Sequence, residues 1–517
     1  MVRPPKPVHP KGDLSEMEKD PLSVKLAVDS FDGKIHIEWE PEASVTPMGQ
    51  LAFFIQFLKT GCRFEPWVND CPLTYKSPNA PQKVDLLGSL MLSILSGHKR
   101  YAHIGTIIGD TVNSRLLGMK KIVSDDSARR GLKKIDEQEG VEWMQKHLHL
   151  CFDPLLTIPW ILDADVTIKT IYGSQEGALN GYNPHKKGRP SHTYHSYMMA
   201  NLKLILEVEV RPGNESHSKY SLPGLIELLN RLPKCCWPEF VRGDCDWGND
   251  SVMSELEKAG CHYLFKMKKL ANVKKAICHA HCGGGWVKYD KHWEGKESVI
   301  KLSGWTKERR IVIVRRRRPE NERLALEKEL KDRQTTLSLI EEPENIKAYE
   351  YSVLVTTLEN DVVSIINHYR NRADCENNFD EIKNQWGWGG YVTKDLARCR
   401  MLARMVALIY NWWTLYVRLS SPDSHKESIT SRPLLMSSIG KLTESGNQKK
   451  IKLTSQHRLM NKIAKLQSQL CDFLDTIKGI APQLSPIQAW CRILTGAVSK
   501  FLKNGQVISP QPSISSG

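Results

Sequence analysis

The chain has 517 residues, 40% hydrophobic and 25% charged, with 73 lysines and arginines against 58 acids and a formal net charge of +15. That length points to about three domains and is ample for a large core. Thirteen irregularly spaced cysteines exclude a disulfide scaffold and suit reduced cytoplasmic thiols, while the cationic excess favours a polyanionic partner, nucleic acid first.

Residues 1–47 are rich in proline and charge, carry no apolar leader, and are expected to form a mobile or loosely packed N-terminal arm with one short strand in KIHIEWE. From 48 to 150 the pattern is helical and predicts a helical DNA-binding domain. Within it, SDDSARRGLKKIDEQ offers Ser124 as an N-cap and Asp125 and Asp126 in the first turn. That helix carries Arg129, Arg130, Lys133 and Lys134, which suits either a DNA-reading helix or a solvated basic one.

From 151 to 268 strands and helices mix. IPWILDADVTIKTIYG reads as a buried strand ending in acids, MMANLKLILEVEVRPGN and WPEFVRGDCDWG as further strands, SVMSELEKAGC as a helix and HYLFKMK as a strand. Residues 269–350 are β-rich and read as an insertion. Within 351–420 come the strand AYEYSVLVTTL, a polar helix and a buried helix over 403–419. Arg404 and Asn411 interrupt that last run, which falls short of the roughly 20 residues a membrane span needs. Residues 421–517 read as a linker followed by a helical, basic C-terminal region.

The passage NHYRNRADCENNFDEIKNQWGWGG, 367–390, places Tyr369, Arg372, Glu376 and Lys383 at offsets of 0, 3, 7 and 14. At about 100° per residue these four project within roughly 60° of one another, a single stripe on a helix. Ile365, Cys375, Phe379, Ile382 and Trp386 lie beside it on an apolar face, and Arg370, Asn371, Asp374 and Asn378 point away, towards solvent. The same spacing also describes a surface helix with i,i+4 ion pairs.

Acids also sit in pairs at two strand ends. Asp163 and Asp165 share one face of a strand, as do Asp244 and Asp246. Acids on two strands and a helix can converge on hard divalent cations such as Mg2+, and two such ions can clamp the oxygens of an in-line phosphoryl displacement.

The four-residue stripe matches, at every spacing, the Tyr-x2-Arg-x3-Glu-x6-Lys signature of bacterial insertion-sequence transposases of the DDE class, and the sequence resembles the subgroup akin to piggyBac. LDADVTIKTIYGSQEGALNGYNPHKKGRPSHTYH is similar to that subgroup's Asp-x-Thr strand and following loop, and VRGDCDWGND to its Arg-x-Asp block. The resemblance covers roughly 85–420. It implies an α/β fold: an RNase H-like core, a mixed sheet flanked by helices, over 151–268 and 351–420. The 131 residues between Asp244 and Glu376 would hold the β-rich insertion.

Residue by residue, the resemblance implies Asp165, Asp244 and Glu376 as catalytic and metal-binding carboxylates. Two Mg2+ ions would be the cofactor, with Mn2+ able to substitute. Asp163 becomes a flanking acid, Asp246 stands where the family usually has glycine, and Asp380 is the next-ranked acid on the helix. Tyr369, Arg372 and Lys383 are implied to hold terminal phosphates of the element's DNA end. The loop residues Lys186, Lys187 and Arg189 are expected on backbone phosphates, as is the run Arg315–Arg318, which equally suits a solvated strand end.

The implied function is binding of the element's terminal inverted repeats, cutting at its ends and joining to target DNA. A hairpin at the element's end and a TTAA-like target belong to the same implication. The partners are double-stranded DNA and a second copy of the chain, a homodimer in the synaptic complex, with no membrane partner, in the bacterial cytoplasm at the nucleoid. A catalytically inactive DNA-binding protein and an RNase H-like nuclease without strand transfer are the alternatives. CHAHC, 278–282, has zinc-ligand residue types but no second well-spaced pair.

Overall fold

The computed structural model of the protein describes residues 26–40, 43–184, 186–322, 343, 345–421, 425–502 and 506–510, with Asp374 and Cys375 described in backbone only. Most of the expected N-terminal arm, 1–25, therefore lies outside the described residues, as does the charged segment 323–342.

In chain order the elements begin with an exposed hairpin, β1 (Leu26–Ser30) and β2 (Gly33–Ile37), and a short strand β3 (Val45–Thr46). Helices follow: α1 (Leu51–Thr60), α2 (Phe64–Asn69), α3 (Lys83–Leu95), α4 (Thr111–Leu116), α5 (Asp125–Leu132) and α6 (Glu137–Phe152). Then come β4 (Leu162–Thr170), β5 (Leu179–Asn180), β6 (Pro190–Met199), β7 (Leu204–Pro212), α7 (Ser218–Asn230), β8 (Val241–Gly243), α8 (Asp250–Ala259), β9 (Tyr263–Lys266) and α9 (Ala271–Cys282). The next elements are β10 (Val287–Lys288), β11 (Trp293–Ile300), β12 (Arg309–Arg317), β13 (Tyr349–Thr356), α10 (Val362–Arg370), α11 (Ala373–Gln385) and α12 (Leu396–Ser420). The chain ends with α13 (Ser428–Leu435), the hairpin β14 (Gly440–Ser445) and β15 (Gln448–Leu453), α14 (Met460–Ile480) and α15 (Pro486–Ala497).

One mixed sheet organises the middle of the chain. Its ladder runs β7–β6–β4–β8–β9, with β6 antiparallel to both β4 and β7, and β8 and β9 parallel to β4. Next to β9, β13 pairs antiparallel, and β12, β11 and β10 continue outward, so the strands of the β-rich segment extend this same ten-stranded sheet.

β6 is buried although much of it is polar. Its carbonyl- and hydroxyl-rich surroundings explain why: His192 Nε2 donates to the Glu176 carbonyl at 2.8 Å, and His195 Nε2 donates to the Glu215 carbonyl at 2.8 Å. Such partners offset the cost of burying polar groups, although Ser191 Oγ, His192 Nδ1 and Ser196 Oγ find none among the described residues.

α12 is buried along almost its whole length and packs on β7 and α6. The two polar residues that interrupt its apolar run serve the sheet. Asn411 accepts from Ile205 N at 2.8 Å and donates to Ile205 O at 2.7 Å, covering backbone groups of β7, while Arg404 pairs with Glu207 at 2.7 Å. No helix among the described residues is long and apolar enough to cross a membrane.

The helix expected to carry the stripe is broken. It ends as α10 at Arg370 and restarts as α11 at Ala373, with Arg372 N bonded to Tyr369 O in a tighter turn. The expected solvent face is also corrected. Asn378 is 1% exposed, because α11 packs against β6 on that side, where Asn378 Nδ2 approaches Met198 Sδ. Ile365, Phe379, Ile382 and Trp386 are buried as read; Cys375 lies outside the described side chains.

Candidate active site

Parallel pairing of β4 and β8 sets Asp163 opposite Arg242. Two residues on, Asp244 stands immediately beyond the end of β8, level with Asp165 on β4 and close enough for the two charges to act on each other. The register is pinned by a bidentate ion pair: Arg242 Nε lies 2.6 Å from Asp163 Oδ1 and Nη2 2.7 Å from Oδ2, with both residues 1% exposed. Arg242 Nη1 also donates to the His368 carbonyl, tying the end of α10 to the sheet.

Arg372 links the third acid. Its Nη2 donates to Asp165 Oδ1 at 3.0 Å and its Nη1 donates to Glu376. The arginine side chain is 7% exposed, Asp165 24% and Glu376 63%, so the ion pairs join an exposed acid to a partly covered one through a buried guanidinium. Arg372 Nε is buried with no hydrogen-bond partner among the described residues.

Burial pushes the Asp165 carboxyl up; Arg372 opposes this, Asp244, Glu376 and Asp163 add to it, and the group rests at about 6. Burial also raises the Tyr369 phenol, against the pull of Arg372. Arg372 itself is held above its ordinary value: burial works against its charge, but Asp165 and the neighbouring anions outweigh it. Crowded carboxylates repel, and this guanidinium is the cation that holds them together.

The donor set suits a hard divalent cation: Asp165 and Asp244 offer carboxylate oxygens side by side. Glu376 is drawn instead to Arg372, and among the described residues no group of three or more His, Cys, Asp or Glu side chains is close enough to hold a metal ion.

The neighbouring acids have other partners. Asp246 accepts from Ser218 N at 2.6 Å, at the start of α7, and pairs with Lys268 Nζ at 2.7 Å. Burial raises its carboxyl, but Lys268 and Ser218 together draw it down to about 2. Asp380 accepts from Asn384 on the exposed side of α11. A cleft of about 620 Å3 opens beside Asp244, lined by His217, Lys219, Cys245, Asp246, Lys268 and Trp305.

The basic residues divide. Lys383 is half-buried near the end of α11, close enough to Lys169 on β4 for the two charges to oppose each other. Lys186, Lys187 and Arg189 are exposed on the loop before β6, with Arg189 over the Tyr172 ring at 5.9 Å. On α5 the expected Ser124 cap accepts from Ser127 N, but Arg129 is engaged by Asp125 and Asp126 at 2.8 and 3.0 Å. Arg130 and Lys133 are exposed.

In the arginine run, Arg315 pairs with Glu294 and stacks on Trp286 at 3.7 Å, and Arg316 pairs with Glu322 and Glu350. These side chains knit the sheet, leaving Arg317 exposed. His281 of CHAHC bonds the Tyr351 hydroxyl at 2.6 Å. Sequence reasoning missed Lys99, Arg100 and Lys169, whose charges gather beside Lys383; the available signal was that Lys169 shares a strand face with Asp165.

Compared with curated proteins, the chain matches none. Among solved structures, the piggyBac transposase synaptic complex with hairpin DNA, determined by cryo-electron microscopy, is similar at 11% identity and a TM-score of 0.38, over 91% of this chain and 88% of that one. A family model described as transposase DDE domain group 1 matches residues 80–473. With most of its length matched, the chain belongs to this family of transposase DDE domains.

Proposed function

We propose that this transposase binds the ends of its own mobile element, cuts them and joins them to target DNA by metal-dependent phosphoryl transfer. The observation that carries this reading is the level placement of Asp165 on β4 and Asp244 just past the end of the adjacent parallel strand β8, with Glu376 tied beside Asp165 through Arg372. The mixed sheet with helices packed on it is consistent with the RNase H-like core that the resemblance implies.

Asp165 and Asp244 would hold a divalent cation, Mg2+ or in its place Mn2+, and Glu376 would complete the set on leaving Arg372. The bound metal supplies charge neutralisation at phosphoryl oxygens and an activated water or hydroxyl. Arg372 holds Asp165 and Glu376 adjacent before DNA arrives, then offers its guanidinium to a phosphate, which it can grip in bidentate fashion. Tyr369 and Lys383 flank it along the two helices, and Lys186, Lys187 and Arg189 meet backbone phosphates further out. Two ends must be brought together, so the working unit is at least a dimer, acting in the bacterial cytoplasm at the nucleoid.

The test is cleavage of a duplex carrying the terminal sequence that flanks the gene, in Mg2+ and in Mn2+. Cleavage by the wild type that is lost in Asp165→Asn and Asp244→Asn supports the reading. A binding-only role is favoured by one observation, that the described acids do not gather in threes; binding without cleavage in either metal would select it.

A further inference from the structure

After Lys383 the chain reads Trp386-Gly387-Trp388-Gly389-Gly390, with both tryptophans buried. Two of the glycines are demanded by close approach. A Cβ at Gly390 would lie 2.2 Å from the Lys99 carbonyl oxygen, and one at Gly389 would lie 2.7 Å from Lys169 Cδ. Neither position can carry a side chain without displacing its neighbour. The turn therefore clamps two things to the end of α11: the segment that bears Lys99 and Arg100, and the aliphatic stem of Lys169.

Lys169 stands four residues beyond Asp165 on β4 and leaves the same face. Lys383 stands seven residues beyond Glu376 on α11. Both elements thus run from an acid to a lysine, and the two lysines meet where the glycine turn delivers Lys99 and Arg100. Among the described residues no carboxylate pairs with any of these four cations. Burial lowers the Lys169 ammonium, and the charges of Lys383, Lys99 and Arg100 lower it further. The half-buried Lys169 therefore carries its charge at a cost that a bound anion would offset.

We propose that Lys99, Arg100, Lys169 and Lys383 form a built phosphate site that holds the DNA backbone to one side of the scissile bond. This rests on the DNA-cutting reading above and adds where the strand lies. Four residues of strand span about 13 Å, roughly four base steps along a duplex axis, so the phosphates seated here belong to the strand running on from the carboxylates. The Trp-Gly-Trp-Gly-Gly turn is the device that assembles the site.

The experiment is equilibrium binding of a 30-base-pair duplex of mixed sequence from 50 to 300 mM salt. The proteins are the wild type, Lys169→Met, the triple variant Lys99→Met with Arg100→Gln and Lys169→Met, and Lys465→Gln on α14 as an exposed-lysine control. Methionine keeps the stem that packs on Gly389, and Lys99 and Arg100 are exposed, so melting temperatures should stay level with the wild type. The slope of log affinity against log salt should fall by about 1 in the single variant and by about 3 in the triple one, with affinity at 100 mM salt down at least about tenfold. Lys465→Gln should bind like the wild type. A triple variant that keeps the wild-type slope, while the wild type still cuts, overturns this site and leaves the transposase reading intact. A wild type that neither binds nor cuts overturns both. Loss of binding equal in Lys465→Gln overturns the site as well, since any surface charge would then serve.

Discussion

Asp163 and Arg242 face each other across β4 and β8 in a bidentate pair of 2.6 and 2.7 Å, almost wholly removed from solvent. Neither is among the acids proposed for catalysis, yet their pairing decides where those acids stand. A two-point contact fixes the register of parallel strands, and a slip of one residue would send Asp244 to the opposite face from Asp165. Asp163→Ala leaves a buried guanidinium without its counter-charge, a loss of about 3–5 kcal/mol. The expected result is a melting temperature several degrees lower together with reduced cleavage, read by thermal unfolding and an end-cutting assay. An unchanged melting temperature would contradict this role.

Asp246 and Asp244 differ in their contacts although only Cys245 lies between them. Asp246 caps the start of α7 and pairs with Lys268, so Asp246→Asn should cost about 1–2 kcal/mol of stability while cleavage persists. Asp244→Asn should abolish cleavage and leave the melting temperature nearly unchanged. Parallel melting and cleavage measurements on the two variants decide the matter, and the reversed pattern would make Asp246 the working acid.

Arg372 donates to two carboxylates through separate nitrogens, which a lysine cannot reproduce. Arg372→Lys should therefore keep the positive charge yet lose cleavage by roughly a hundredfold, the scale of a misplaced reacting group. Single-turnover cutting at saturating DNA reads this directly. Wild-type rates in the lysine variant would show that charge alone matters.

Two buried histidines contribute to the response to acid. Burial lowers His147 to about 4 despite the pull of Asp70, and burial, with Arg211 adding, lowers His195 to about 3. In the unfolded chain both return to about 6.5. Between pH 6.5 and about 4 the unfolded state thus binds more protons than the folded one. Stability contributed by the neutral rings is present above that window and falls as the pH drops, by about 1.4 kcal/mol per unit for each ring. His195→Gln, which can still donate to the Glu215 carbonyl, should flatten the fall of melting temperature between pH 7 and 5. An unaltered slope would count against burial of a neutral ring there.

Local pattern made much of this architecture legible. The strands around Asp165 and Asp244, the cap at Ser124 and the buried helix through Arg404 and Asn411 follow from hydrophobic periodicity and capping residues. β6 was not legible, because SHTYHS alternates polar groups whose partners, Glu176, Glu215 and Ser221, come from separate segments. The hairpin β14–β15 lay in a region read as helical, though Gly446 and Asn447 with positive φ mark its turn. The break at Arg372 was also out of reach. Periodicity presumes a continuous helix, and the residue that draws Arg372 inward, Asp165, is 207 positions away. The break likewise explains why the stripe is uneven in depth, with Arg372 buried and Glu376 at the rim.

The most direct measurement is end cleavage by Glu376→Gln beside the wild type, on a duplex bearing the element's terminal sequence, with binding of the same duplex recorded for both. The substitution keeps the side chain's size and its reach to Arg372 while removing the carboxylate charge. The account predicts binding within about twofold of the wild type and cleavage reduced by at least about a thousandfold, in Mg2+ and in Mn2+. Cleavage at the wild-type rate by Glu376→Gln would contradict it.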